Sequence, residues 1–291
     1  MSRAEPGAPA GTLYITKRAE VATSHHCAVP EWDARQNETV YGLEARPHGH
    51  NFLVEATVAG PPDPRTGMVA NIKDVKAALL ATLAAYDHHD LNADHPAFRA
   101  QAPTAERIAG HVFADLSERI STGHLERVRL TEGDDTVYET FRPGSPLGPG
   151  RLDDERDAPM LITRRYRFSA SHRLHAPGLS EAENAKTFGD CNNPSGHGHD
   201  YRLDVTVRGA IDPATGLAAN HQAVEEAVRS EIVGRYHYRH LNDLPEFAQG
   251  VPTSENIVRT VWQLLEKRLG EGVLYRVRLA ETRDNAFEYF G

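Results

Sequence analysis

The residues best placed to do chemistry form one short run: Cys191-Asn192-Asn193-Pro194-Ser195-Gly196-His197-Gly198-His199-Asp200-Tyr201. In an extended segment side chains alternate between faces, so His197 and His199 point the same way. Two imidazoles on one face make half of a catalytic zinc site, which takes three protein ligands and keeps a fourth position open. His172 closes the alternating run 162–172 and is the candidate third ligand. Cys191 lies six residues before the pair, too far for a local chelate but close enough to reach over the same pocket. A lone His-x-His is more often a polar strand edge; a third histidine after a matching strand tips the reading to metal. Cys191 sits among Gly, Asn and Pro with no apolar neighbours, which reads as a reactive thiol and not as core.

The whole chain bounds what that site serves. Its 291 residues allow two ordinary domains, each with its own core. A formal charge of −9 argues against a sequence-independent nucleic-acid surface. No apolar run reaches membrane-spanning length, and residues 1–11 lack the apolar centre of a signal peptide, so the expectation is a cytoplasmic protein. Only two cysteines occur, Cys27 and Cys191, in unlike contexts; that suits a reducing compartment and no disulfide framework.

The elements that must position the site occur twice. His48-Gly49-His50-Asn51-Phe52 repeats as His197-Gly198-His199-Asp200-Tyr201 at an offset of 149 residues. The same offset relates Asp63-Pro64-Arg65-Thr66-Gly67 to Asp212-Pro213-Ala214-Thr215-Gly216, and Pro103-Thr104-Ala105-Glu106 to Pro252-Thr253-Ser254-Glu255. His25 and His172 correspond at 147. Two long copies make a duplication, not a solenoid. The first ten residues read as a loose tail, and 143–159, rich in Pro, Gly and acidic residues, as a linker between domains at 11–142 and 160–291.

Within each copy a first strand ends in His and a loop follows. A second strand starts at His-Gly-His and breaks at an Asp-Pro-x-Thr-Gly turn. An amphipathic helix carries Ile72, Val75, Leu79, Leu80 and Leu83, or Val224, Ala227, Val228 and Ile232. A second helix starts after Pro-Thr, with Thr104 and Thr253 as N-caps and Glu106 and Glu255 at the positive end of its dipole. Two more strands close the copy. The order ββααββ predicts an α+β fold: a four-stranded antiparallel sheet with two helices on one face.

With these motifs in hand, the chain resembles the 6-pyruvoyl-tetrahydropterin synthase family and its relative, 6-carboxy-tetrahydropterin synthase. The resemblance rests on Phe168-Ser169-Ala170-Ser171-His172, the Cys191 to His199 run, Pro252-Thr253-Ser254-Glu255-Asn256 and Glu281-Thr282, and covers nearly all of both halves. It implies two tandem T-fold (tunnelling fold) domains, oligomerisation into a barrel with sites at domain interfaces, and zinc. It also implies 7,8-dihydroneopterin triphosphate as substrate, released as a 6-pyruvoyl or 6-carboxy tetrahydropterin plus triphosphate; the 6-carboxy branch leads towards queuosine-type products. Three chains, giving six T-fold units, is the first expectation for a homo-oligomer.

Carried over residue by residue, His172, His197 and His199 resemble the family's zinc ligands, Cys191 its catalytic thiol and Glu281 its pterin anchor. The family's Asp-His pair is missing from the second copy. Anchoring on Leu241-Asn242 puts His237 and Tyr238 there, whereas an ungapped offset puts His237 under the histidine. The first copy has His25, His48 and His50 as ligands, Glu132 as anchor, and Asp87-His88; Gly42 and Glu44, where the thiol falls, are not cysteines. The family serves one subunit's cysteine with another's Asp-His pair, so the resemblance implies one complete site joining Cys191 to Asp87 and His88. The alternative is a non-catalytic pterin- or metal-binding protein with degenerate sites. The triphosphate-binding cations stay open among Arg164, Arg165, Lys186 and Arg202.

Overall fold

The computed structural model describes residues 11–149 and 159–291. The expected tail at 1–10 and residues 150–158 of the expected linker lie outside the described residues. Contacts divide the chain into two compact units, Met1–Ile162 with Arg208–Gln222, and Thr163–Val207 with Ala223–Gly291.

The first unit contains β1 (Leu13–His25), α1 (Ala34–Tyr41), β2 (His48–Gly60), α2 (Ile72–Leu83), β3 (His89–Asp90), the helical turn α3 (Leu91–Asp94), α4 (Ala105–Arg119), β4 (His124–Glu132) and β5 (Thr136–Phe141). Its strands lie in the order β3-β1-β2-β4-β5. Phe52, Val54, Ala56 and Val58 alternate along β2 and are wholly buried, as period-two patterning requires. Val75 and Leu79 of α2, with Ile108, Val112 and Leu116 of α4, are buried with them. Each such side chain contributes about 1.5–3 kcal/mol on leaving water. Asn71 and Thr104 cap α2 and α4 by accepting from Lys73 N and Arg107 N.

The second unit is built on the greater part of β6 (Met160–His172), β7 (His197–Gly209) and α6 (His221–Val228), with α5 (Glu181–Phe188), a π-turn at Arg229–Val233, α7 (Gly234–Tyr236), β8 (Arg239–His240), α8 (Ser254–Leu269), β9 (Leu274–Ala280) and β10 (Ala286–Tyr289). Strands run β10-β9-β7-β6, and β8 joins β6 in parallel. Tyr201, Leu203, Val277, Leu279, Ile257, Val261 and Leu265 form its core, all fully buried.

The alternating strands and the two amphipathic helices of each copy stand where their periodicity puts them. The segment read as a loop after the first strand holds an eight-residue helix and a 3₁₀ turn in both copies. Helices α1 and α5 carry little apolar surface, so hydrophobic spacing does not announce them. They are started by capping boxes, Asp33 with Gln36 and Ser180 with Glu183. Polar anchors then hold them: Asn37 Oδ1 accepts from Val29 N at 2.8 Å, and Asn184 Oδ1 from Ala176 N at 2.8 Å.

Candidate active site

Strand register builds the first histidine cluster. β1 and β2 pair so that His25 faces His48 and Thr23 faces His50. Side chains two residues apart share a face, so three imidazoles converge at one end of the hairpin, with ring centroids 4.4, 5.4 and 4.9 Å apart. His172, His197 and His199 repeat the arrangement at 4.6, 5.2 and 4.9 Å. In each triad one nitrogen per ring lies within 4.8 Å of the others. The glycine between the paired histidines is a packing requirement: a Cβ on Gly49 would lie 3.0 Å from Thr23 O, and one on Gly198 3.0 Å from Ala170 O.

The hydrogen-bond pattern fits a metal. His25 Nδ1 donates to Pro103 O and His172 Nδ1 to Pro252 O, both at 2.8 Å, while His48 Nδ1 donates to Arg46 O at 2.6 Å. A carbonyl only accepts, so a proton sits on each Nδ1 and Nε2 is the nitrogen left to face a metal. His25 Nε2, His48 Nε2 and His199 Nε2 are buried without a hydrogen-bond partner. His172 Nε2 and His197 Nε2 face each other at 3.2 Å. Burial, then the neighbouring His48, pushes the His25 pKa down to about 3. Burial is also the main cause lowering His50, His172 and His199. Three imidazoles whose nitrogens converge on one point are a donor set that fits a metal ion. Proline carbonyls as orienting groups escaped the sequence reading, although Pro103-Thr104 and Pro252-Thr253 repeat in register.

A carboxylate lies beside each triad. Glu132 Oε1 is 3.6 Å from His50 Nε2, and Glu281 Oε1 is 3.5 Å from His199 Nε2 and 3.7 Å from His172 Nε2. Cys191 is part-exposed in the 3₁₀ turn Gly189–Asn192, where Leu174 N donates to its carbonyl at 2.9 Å. The first copy shows what stands in its place. Cys27 N, two residues beyond His25 as Leu174 is beyond His172, donates to Glu44 O at 2.7 Å. Both turns open on a left-handed glycine, Gly42 at φ 61° and Gly189 at φ 52°. Glu44, not Gly42, is therefore the counterpart of Cys191. Cys27 is 1 % exposed; burial first, then the Glu44 charge, raises its thiol pKa well above the usual value.

The register of the Asp-His pair is also settled. Asp87 Oδ1 accepts from Ala22 N at 3.0 Å, and His237 Nδ1 accepts from Ser169 N at 3.0 Å. His88 N donates to Ala22 O at 2.6 Å, and Tyr238 N to Ser169 O at 2.7 Å. His88 and Tyr238 share a left-handed backbone, φ 60° and 56°. His237 thus replaces Asp87, and Tyr238 replaces His88. Asp87 Oδ1 is 3.0 Å from His88 Nδ1, and the couple is exposed on the first unit. Cys191 belongs to the second unit.

Glu106 does more than meet a helix dipole. It is wholly buried; its Oε1 lies 2.7 Å from His221 Nε2 and accepts from Ala218 N at 3.2 Å. Its Oε2 is buried without a hydrogen-bond partner. The clue in the sequence is the internal repeat, which sets His221 where the first copy has Ile72.

Comparison with known proteins gives this architecture relatives. The family model described as 6-pyruvoyl tetrahydropterin synthase matches residues 14–143 and again 161–291. The human protein named 6-pyruvoyl tetrahydrobiopterin synthase is 46% identical over 131 residues, covering 45% of this chain and 90% of that protein. An Archaeoglobus fulgidus protein named as a 6-carboxy-5,6,7,8-tetrahydropterin synthase is 34% identical over 95 residues, 33% of this chain and 76% of that one. The solved Caenorhabditis elegans 6-pyruvoyl tetrahydropterin synthase is 38% identical with a TM-score of 0.45, covering 47% of this chain and 98% of that one.

Proposed function

The chain belongs to the 6-pyruvoyl tetrahydropterin synthase family, as two T-fold repeats in tandem, and from that premise we propose a zinc-dependent lyase acting on 7,8-dihydroneopterin triphosphate. As a family member it is a pterin synthase of the lyase type. No helix among the described residues is long and apolar enough to cross a membrane. The observation that carries the zinc reading is the second triad, His172, His197 and His199, with its inward-facing ring nitrogens.

Bound there, zinc supplies a Lewis acid that makes the substrate's side-chain hydroxyl and the adjoining C–H more acidic. The chain's own residues do the rest. Cys191, as thiolate, takes the proton from that carbon. A free cysteine with pKa about 8.5 is mostly protonated at neutral pH, so it needs an activating partner. Asp87 and His88 have the geometry of that partner: the carboxylate fixes the imidazole tautomer, and the imidazole serves the thiol. One complete site then joins the thiol of the second repeat to the couple of the first, within a homo-oligomer. Glu281 accepts hydrogen bonds from the pterin amino and ring N–H groups, which sets the ring's register. The proton transfers, loss of triphosphate and tautomerisation balance without a redox cofactor.

Incubating the zinc-loaded protein with 7,8-dihydroneopterin triphosphate and analysing products tests the reading. Triphosphate alone marks the 6-pyruvoyl branch, and triphosphate with acetaldehyde the 6-carboxy branch. Substrate bound but unchanged would favour the non-catalytic alternative.

A further inference from the structure

The first repeat carries a second histidine cluster that its copy lacks. His95 is 8 % exposed and packs against two buried rings, Tyr86 at 4.6 Å and Phe98 at 4.8 Å. The His111 ring of α4 is 6.5 Å from it and meets Phe98 edge-on at 5.3 Å. The offset of 149 sets Leu244 under His95, Thr260 under His111 and Leu264 under Asp115, while Tyr236 and Phe247 keep the two flanking rings.

His95 is also a cap. It stands just before the 3₁₀ turn Pro96–Phe98, and its Nδ1 accepts from Ala97 N at 3.3 Å. A neutral imidazole can accept because one nitrogen keeps its lone pair; an imidazolium carries N–H on both and cannot. Protonation therefore removes the cap and leaves a charge against buried rings. Burial is the main cause holding the His95 pKa low, His111 adds to it, and His89 of β3 adds least. Asp115 opposes them from an exposed position, where solvent screens it. His111 is itself lowered by burial, with Asp115 opposing and Arg107 adding. Burial and Asp115 keep Tyr86 an uncharged phenol, so it supplies no counter-ion.

The cluster brackets the Asp-His couple. Tyr86 immediately precedes Asp87 and His88, and its contact with His95 closes the segment 86–95 at both ends. Within it His89 and Asp90 pair with Thr23 and Ser24, and Asn92 bonds His26 N and O at 2.9 and 3.0 Å. His88 has a left-handed backbone, which a residue with a Cβ keeps only where its surroundings enforce it. We propose that His95 is a positioning residue for Asp87 and His88: neutral, it clasps segment 86–95 in the form that presents the couple, and on taking a proton it lets that segment loosen. The clasp belongs to the fold and stands apart from the pterin lyase reading; its effect on turnover rests on that reading. Because the folded pKa lies below the unfolded value of about 6.5, the clasp is complete above pH ~6.5 and is lost as pH falls towards the folded value.

Hydrogen–deuterium exchange of the zinc-loaded full-length protein, read by mass spectrometry at about pH 7.5 and about pH 5.5 and corrected for intrinsic rates, follows the segment directly. Peptides spanning 86–95 should lose protection about tenfold at the lower pH, the effect of one proton taken up across a one-unit shift. Peptides spanning 236–244, where Leu244 replaces the histidine, are the internal control and should hold theirs. His95→Leu installs the second repeat's residue, and His95→Asn keeps an uncharged cap acceptor; both should remove the extra loss in 86–95, with zinc content matched to wild type. The acid limb of turnover of 7,8-dihydroneopterin triphosphate should also move to lower pH in both variants. Equal loss in wild type and both variants overturns the proposal, as does no loss in wild type or the same loss in the control peptides. A protein that turns over no substrate at any pH ends the lyase reading and leaves the exchange result to decide the clasp.

Discussion

The first histidine of each triad is aimed by a proline carbonyl outside the triad, and this sets what single substitutions can do. Pro103 O and Pro252 O lock His25 and His172 with Nε2 inward, so removing either imidazole deletes one of three ligands and leaves its cluster otherwise folded. The two clusters lie in different units. Loaded protein should therefore carry two zinc equivalents per chain, and His172→Ala or His25→Ala should each reduce this to one, with the double variant near zero. Mass-spectrometric metal analysis after dialysis checks it. A wild type that retains one equivalent, lost only in His172→Ala, would mean the first triad keeps its shape without holding a metal.

The elements show why part of this was legible in sequence and part was not. Strands and amphipathic helices announce themselves by period, and His48-Gly49-His50 and His197-Gly198-His199 by their strand spacing. The 3₁₀ turn carrying Cys191 and Glu44 has no period, so Gly42 and Glu44 could be told apart only by the backbone hydrogen bonds. The His237 ambiguity has an equally local cause. From His221 to Tyr236 the second copy has one residue more than the first has from Ile72 to Tyr86, and the helix absorbs it as the π-turn Arg229–Val233. A π-turn is the usual signature of such an insertion. Gly234 follows that turn, and a Cβ there would lie 3.0 Å from Arg229 O. Because the first copy buries Tyr86 without the extra residue, deleting Gly234 should leave Tyr236 buried and alter stability by no more than about 1 kcal/mol in denaturant unfolding. A loss of several kcal/mol would mean the wide turn is structurally required. At the end of β5, Glu126 anchors Arg142: its carboxylate is 1 % exposed and accepts from Arg142 Nε at 2.9 Å, with His124 Nε2 also at 2.9 Å. Burial alone would raise its pKa; hydrogen bonds from Arg142 and Ser145 outweigh that and lower it. A lowered carboxylate contributes stability above its unfolded pKa, about 4.3, and loses it as pH falls through the lower folded value. Glu126→Gln should therefore cost about 1–2 kcal/mol at neutral pH, and the gap to wild type should close below pH ~4.

At the scale of the whole molecule, duplication has let the two copies diverge in complementary positions, and the proposed assembly makes that measurable. On the proposed reading a thiol of one repeat works with an Asp-His couple of the other, either within a chain or between chains. Cys191→Ala and His88→Ala should each abolish most of the thiol-dependent turnover, by roughly 10²–10⁴-fold, the usual range for a lost acid–base group. Mixing the two inactive proteins after subunit exchange separates the cases. If thiol and couple come from different chains, each site draws its thiol from one variant pool and its couple from the other at random. Half the chains offer an intact thiol and half an intact couple, so about a quarter of the wild-type activity should return. If both come from one chain, no mixture contains an intact site and nothing returns. Substantial activity in His88→Ala alone would end the shared-site account, because Cys191 would then be activated without the couple that the second repeat has replaced by His237 and Tyr238.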